Sequence, residues 1–188
     1  MDIKSASRAD LESIALLHKE TFKGLFSGEL SVPCLIAFYQ SLLDNPHGCT
    51  FVLQEDNNFA GFISGCASGD YVSFALKMRM VVEALKTYRI LDILRLFKKA
   101  VYYTRLGITA ELISVSVVQK YQRRGFGNCL LGALEKYFIE NGVTQYFVFT
   151  DLKRSRGLNF YLAKQFEEIK RIKLLGLEGV FLQRTIPS

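Results

Sequence analysis

Residues 111–138 constrain this chain more than any other stretch. They begin with a β-favouring run, Leu112 to Val118, rich in Val, Ile and Ser. They end in an amphipathic helical pattern, with Leu130, Leu131, Leu134, Tyr137 and Phe138 recurring at three and four residues. Between the two lies Gln122-Arg123-Arg124-Gly125-Phe126-Gly127-Asn128. A strand that feeds a basic, glycine-bearing turn at a helix start makes an anion site. The unbonded N–H groups of the first helical turn converge there, and the helix dipole adds partial positive charge. Glycine at 125 and 127 lets the backbone approach an oxygen closely, and Arg123 and Arg124 supply further pairing for phosphate.

Two phosphate loops do not fit. A dinucleotide fingerprint requires a third glycine where Leu130 stands, and a P-loop requires Gly-Lys-Ser/Thr where Gly127 is followed by Asn128 and Cys129. What remains, Gln122-Arg123-Arg124-Gly125-Phe126-Gly127 after a strand, resembles motif A of the GNAT superfamily of acyl-CoA-dependent N-acyltransferases. That loop cradles the pyrophosphate of coenzyme A. The competing reading is an ordinary strand–turn–helix with two solvated arginines.

The composition agrees with a globular chain. Its 188 residues fit one domain over 1–188, and 49% hydrophobic with 22% charged residues gives ample core. No apolar run approaches the roughly 20 residues that cross a bilayer. Nothing at the amino terminus reads as an export signal, so a cytoplasmic location is expected. Cys34, Cys49, Cys66 and Cys129 lack paired or metal-type spacing and read as free thiols, while His18 and His47 supply zinc poorly. The net charge of +6 favours an anionic partner. Coenzyme A phosphates suffice for that, and with no nucleic-acid-binding motif present, nucleic acid is not expected.

In chain order, a strand at Asp2–Ser5 precedes a helix with Ser7 and Asp10 as a capping-box-like start. A second helix runs from about Val32 to Asp44, with Ser31 as its cap and Asn45-Pro46 as its stop. Thr50–Gln54 and Phe59–Cys66 are strands around a hairpin signal, and Gly61-Phe62-Ile63 is similar to the third GNAT strand. After the signature helix, a strand over Thr144–Thr150, a helix over Arg156–Lys164 and two closing strands, Gln165–Leu175 and Glu178–Thr185, complete the chain. The resemblance therefore implies an α/β (α+β) fold. It consists of a mixed, mostly antiparallel sheet of about seven strands, flanked by helices and splayed at strand 4.

Residues 70–106 depart from a minimal GNAT. Their apolar period is helical, and Lys77, Arg79, Lys86, Arg89, Arg95, Lys98, Lys99 and Arg105 far exceed Glu83 and Asp92. Three readings stand: extra helices with a solvated basic face, a basic lid over the acceptor site, or a helix lying on an anionic membrane surface.

A second family motif, Asn-x-x-Ala-x-x-Phe-Tyr-x-x-x-Gly-Phe, meets Arg154-Ser155-Arg156-Gly157-Leu158-Asn159-Phe160-Tyr161-Leu162-Ala163-Lys164-Gln165-Phe166. Phe160, Tyr161 and Phe166 match. Arg154, Gly157 and Gln165 replace the asparagine, alanine and glycine, which puts the pantetheine hydrogen bond and the glycine turn in question. The resemblance implies roles for three further groups of residues. Ser116, Val117 and Val118 line the pantetheine arm, with Val117 N–H as oxyanion donor. Residues Gln122 to Asn128 hold the pyrophosphate. Tyr161 protonates the leaving thiolate, against the alternative of a core tyrosine. The amine must also lose a proton, and Glu111, heading an apolar strand, is the candidate base. It lies six residues before Val117, on the same face in a regular strand and on the other if a bulge intervenes. The alternative is a solvated strand-end carboxylate; Glu29 and Glu55, both in expected loops, are the weaker alternatives for the base.

These readings converge on an N-acetyltransferase that moves an acetyl group from acetyl-CoA to a primary amine of a small molecule, such as an amino sugar or a nucleotide-linked amino sugar. The transfer proceeds by direct attack in a ternary complex. The altered second motif also admits a coenzyme-binding regulatory protein without activity, and the basic insertion admits a membrane-surface binder. No metal is expected, and either a monomer or a homodimer is compatible.

Overall fold

Seven β-rich runs pair into one sheet in the order β1-β2-β3-β4-β5-β7-β6 in a computed structural model that describes residues 1–68, 74–86, 91, 94, 101–152, 155–174 and 177–186. The strands are β1 (Asp2–Ser5), β2 (Gly48–Glu55), β3 (Asn58–Cys66), β4 (Glu111–Val117), β5 (Gln145–Asp151), β6 (Glu167–Leu174) and β7 (Leu177–Thr185). All neighbours run antiparallel except β4 and β5, which run parallel. The β2–β3 hairpin closes through Asp56 and Asn57 at φ 51° and 60°, residues whose short polar side chains tolerate the left-handed region. Of the sequence readings, Arg154, Leu175, Asp92 and the basic residues 89, 95, 98 and 99 lie outside the described residues.

Helices cover both sides. On one, α1 (Leu11–Thr21) and α3 (Val32–Leu43), joined through the short turn α2 (Phe26–Glu29), bury Leu11, Ile14, Leu17, Tyr39 and Leu42 against Val52 and Phe62. Ser7 and Asp10 form the expected capping box, on a 3₁₀ turn leading into α1. Ser31 caps α3, accepting the N–H of Cys34 at 3.3 Å. On the opposite side, α5 (Phe126–Glu140) lays Leu130, Leu131, Leu134 and Phe138 on Ile63, Leu112, Tyr146, Val148 and Leu182. Each such buried side chain contributes about 1.5–3 kcal/mol. Beside α5, α6 (Ser155–Leu162) adds Phe160 and Tyr161. The α6–β6 turn puts Gln165 at φ 61°, so the turn expected of a glycine is made by glutamine at a cost of about 1 kcal/mol.

The insertion supplies α4 (Phe74–Lys86), whose Leu76 and Met80 pack against Ala15, Leu30, Cys34 and Leu35. Residues 101–108 then cross the face of β5 and β7, where Tyr102, Tyr103, Leu106 and Ile108 meet Phe149, Ile172 and Phe181. Among the described residues, no helix is long and apolar enough to cross a membrane, and no cluster of His, Cys, Asp and Glu is arranged to hold a metal.

Candidate active site

The site begins where the sheet stops pairing. Strand β4 follows β3 from Cys66↔Glu111 to Gly61↔Val117, yet meets β5 only at Glu111↔Phe147. Beyond Glu111 the two parallel strands diverge. The Val118 N–H donates to Ala60 O at 2.9 Å, toward β3. By the alternation of an antiparallel ladder, the N–H and C=O of Val117 and Val115 therefore point the other way, into the opening. An extended chain entering there meets a strand edge that no neighbouring strand pairs, with only the Val117 carbonyl taken, by Gln122 Nε2 at 2.9 Å. Val117 was expected at this edge; Val115 was not, although its even spacing from Val117 carried the signal.

The far end of β4 leads through a 3₁₀ turn, Gln119–Tyr121, to the basic loop. Arg123 sits at φ 62° and Gly125 at φ 84°, two left-handed residues that turn the chain into α5. The first helical N–H to find a partner is that of Asn128, which donates to Gly125 O at 2.9 Å. Among the described residues the N–H groups of Gly125, Phe126 and Gly127 have no acceptor in the chain, as the first turn of a helix requires. A Cβ on Gly127 would stand 3.2 Å from the Phe160 ring, so glycine there lets α6 close against the helix start.

The side chains of the loop divide their work. Phe126 is buried and stacks on Tyr121 with ring centroids 5.8 Å apart, which anchors the turn. Gln122 folds back, its Nε2 donating to Val117 O at 2.9 Å. Arg123 is exposed. Arg124 pairs with Glu55 of the hairpin at 3.2 Å and lies over the Phe126 ring at 5.1 Å. Glu55 thus serves the loop rather than the acceptor side, and Glu29 accepts the Gly24 N–H at 2.8 Å. A pyrophosphate fits this surface, since three convergent amides sit beside two arginines with no side chain of residue 125 or 127 in the way.

Behind β4, Ser116 is buried with its hydroxyl on that of Thr21, so its side chain serves α1, and its backbone pairs with Phe62 of β3. Ser114 accepts or donates to Tyr39 Oη at 2.9 Å, and Tyr39 Oη meets His18 Nδ1 at 2.6 Å. This polar chain fixes the rear of the splayed strand to α1 and α3.

Glu111 is buried, at 6% exposure, which removes the solvated alternative. The register between β3 and β4 skips Ile113, passing from Ser64↔Ser114 to Gly65↔Leu112. That bulge sends Glu111 to the face opposite the Val117 side chain. There Tyr103, from the insertion, donates its phenol to Glu111 Oε1. The sequence carried no signal for Tyr103, because the contact joins two segments that only the sheet brings together. Tyr161 is 7% exposed and packs on Phe160 and Phe166, with ring centroids at 5.4 and 5.1 Å. Burial pushes its phenol well above the ordinary tyrosine range, so it stays protonated at neutral pH. Cys129 follows the loop in the first turn of α5, half-buried, and no observation makes it a nucleophile.

The family model that this chain matches is described as the acetyltransferase (GNAT) family, over residues 12–166. No curated protein matches in sequence. Solved structures match in fold. One is yncA from Salmonella typhimurium, described as a putative acetyltransferase with its cofactor acetyl-CoA, at 16% identity and TM-score 0.67, covering 100% of this chain and 95% of that one. A ribosomal-protein-alanine N-acetyltransferase from Brucella melitensis matches at 15% identity and TM-score 0.67, covering 99% and 100%. A spermidine N-acetyltransferase from Vibrio cholerae matches at 12% identity and TM-score 0.61, covering 98% and 95%.

Proposed function

The chain belongs to the acetyltransferase (GNAT) family, and from that premise we propose that it transfers the acetyl group of acetyl-CoA to a primary amine of a small anionic molecule, an amino sugar or a nucleotide-linked amino sugar. One observation carries the reading. The edge of β4 that β5 leaves unpaired leads, through the turn at Gln119–Tyr121, to a helix start whose amides have no partner in the chain, and together they favour a pantetheine arm followed by its pyrophosphate.

Acetyl-CoA supplies the acyl group as a thioester, and the chain's own residues do the rest. Gly125, Phe126 and Gly127 bind the pyrophosphate through their amides, with Arg123 and Arg124 beside them and Asn128 closing the turn. The Val117 N–H and the Val115 edge pair with the arm, while Gln122 holds the Val117 carbonyl and Ser116 and Val118 keep the strand on β3. An edge amide donates to the carbonyl oxygen as negative charge develops there, which is worth about 3 kcal/mol of barrier. Val115 stands two residues nearer Glu111 than Val117 does, so a carbonyl held at Val115 brings the attacking amine closer to the base. Glu111 takes the amine proton through an ordered water. The nitrogen forms its bond to the carbonyl carbon as the carbon–sulfur bond breaks, and Tyr161 donates its proton to the departing sulfur.

The preference for an anionic acceptor rests on charge. A net +6 chain concentrates anions and repels polyamines. The test is thiol release from acetyl-CoA against a panel of amino sugars, nucleotide-linked amino sugars, polyamines, amino acids and peptides. Turnover highest with a phosphate-bearing amino sugar supports the proposal, and turnover confined to polyamines or peptides overturns the acceptor class. Coenzyme binding without turnover on any amine would assign the chain a regulatory role.

A further inference from the structure

Helix α4 carries two apolar stripes, and only one of them faces the protein. At about 100° per residue, Leu76, Met80 and Ala84 share one side. Leu76 and Ala84 are buried there, and Leu76 and Met80 pack against residues of α1 and α3. Met78, Val82 and Leu85 fall on the opposite side and are 45%, 44% and 50% exposed. A helix that only covers a core needs one apolar stripe, so the second requires its own explanation. Leu91, Leu94 and Val101, farther along the insertion, are likewise about half exposed.

Charge is sorted with the same geometry. Lys77 borders the outer stripe on one side, Arg79 and Lys86 on the other, and all three are exposed. Glu83, the only acid of α4, turns inward: its carboxylate accepts the Ser31 N–H at 2.8 Å and the Ser31 hydroxyl at the start of α3. The acid of the helix therefore tethers it to the protein, and exposed bases flank the outward apolar strip. Across 77–105 the sequence holds eight basic residues and two acidic ones.

We infer that the outer face of α4 is a docking surface for an anionic lipid membrane, with Met78, Val82 and Leu85 entering the boundary between headgroups and acyl chains. The bordering basic side chains extend along the apolar surface and place their charges among the headgroups. The pattern selects this partner over others. Nucleic acid takes the charges but leaves the apolar strip in water. A second copy of the chain brings like charges together across a two-fold contact. An anionic bilayer takes both features at once, and the overall positive charge adds to the attraction.

The test is co-sedimentation of the whole chain with vesicles of phosphatidylcholine alone or mixed with phosphatidylglycerol. The wild type is expected to pellet with the mixed vesicles and to remain in solution with the neutral ones. Met78→Ser/Val82→Ser/Leu85→Ser should weaken partitioning at least roughly tenfold, because three apolar side chains no longer enter the lipid. Arg79→Gln/Lys86→Gln should weaken it about fivefold per charge removed, the equivalent of about 1 kcal/mol each. Because all five side chains are exposed, both variants should keep the wild-type acetyl-CoA affinity and an unfolding midpoint close to that of the wild type, which separates docking from folding and from the coenzyme site. No sedimentation with either vesicle overturns the inference, as does undiminished sedimentation of the triple variant. Tighter binding to duplex DNA than to vesicles, or a dimer that the triple variant dissolves, assigns the face to that partner and equally overturns it.

Discussion

Tyr103 donates its phenolic hydrogen to the carboxylate of Glu111, joining the end of the insertion to the first residue of β4. The contact sits at the closed end of the opening between β4 and β5, where the strands still pair. It orients the one carboxylate that the bulge at Ile113 turns away from the Val117 side chain. Glu111→Gln keeps the shape and removes the base. Turnover should fall about 10²- to 10⁴-fold, the usual range for a general base, and the rise in rate with pH should flatten. Acetyl-CoA affinity should hold. A pH–rate profile of kcat/KM checks this, and an unaltered profile assigns the proton to another group.

Tyr103→Phe tests the other partner. It deprives a buried carboxylate of one donor, and a hydrogen bond to a charged group is worth about 1.5–3 kcal/mol. The urea midpoint should drop accordingly, with the slope of the transition unchanged. A midpoint equal to wild type would mean that the pair contributes nothing to holding residues 101–108 on the sheet.

Gly125 has open space where a Cβ would go, so its constraint lies in the backbone, at φ 84°. Any L side chain there costs about 1–2 kcal/mol, and a β-branched one more. Gly125→Val should relax the turn out of the left-handed region and scatter the three amides. Acetyl-CoA affinity measured by calorimetry should fall at least roughly tenfold. Wild-type affinity in this variant would place the pyrophosphate elsewhere.

Tyr161→Phe should lower turnover more than it weakens acetyl-CoA binding, because it removes a proton donor and leaves the packing against Phe160 and Phe166 intact. The sign of its pH effect follows from burial. A donor fails as pH rises through its pKa, and this one is pushed upward. The rate should therefore show no loss from this group below about pH 10, the ordinary tyrosine value. Equal losses of turnover and affinity in the variant would make Tyr161 a packing residue.

Stability should decline on the alkaline side. Burial pushes the Cys34 thiol to about 11 and the Cys49 thiol to about 12, from an ordinary 9.0, and raises the phenols of Tyr39, Tyr146 and Tyr161 as well. Groups whose folded values lie above their unfolded ones stabilise fully below the unfolded values. That stability is lost as pH rises toward the folded ones. The unfolding free energy should be level with respect to these groups below about pH 9 and fall above it. The share of tyrosinate absorbance that belongs to Tyr39, Tyr146 and Tyr161 should appear only as helicity is lost, whereas ionisation of these three before unfolding would contradict their burial.

Much of this was legible in local pattern. The run Leu112–Val118, the glycines at 125 and 127 and the spacing Leu130, Leu131, Leu134, Phe138 specified a strand, a left-handed turn and a one-faced helix. The reason is that strand and helix periods and turn chemistry act over a few residues. Asp56-Asn57 closed its hairpin, and Ser31 capped α3, on the same grounds. Tertiary structure decided the rest. Only pairing with β3 on one side and divergence from β5 on the other left the Val115 and Val117 edges without a partner strand. Only the skip at Ile113 fixed the face of Glu111, and only packing of the insertion across Phe181 brought Tyr103 to it. Only the docking of α4 on α3 separated a buried stripe from an exposed one. These relations join residues far apart in sequence, and a residue's own neighbours carry no record of which distant segment will lie against it.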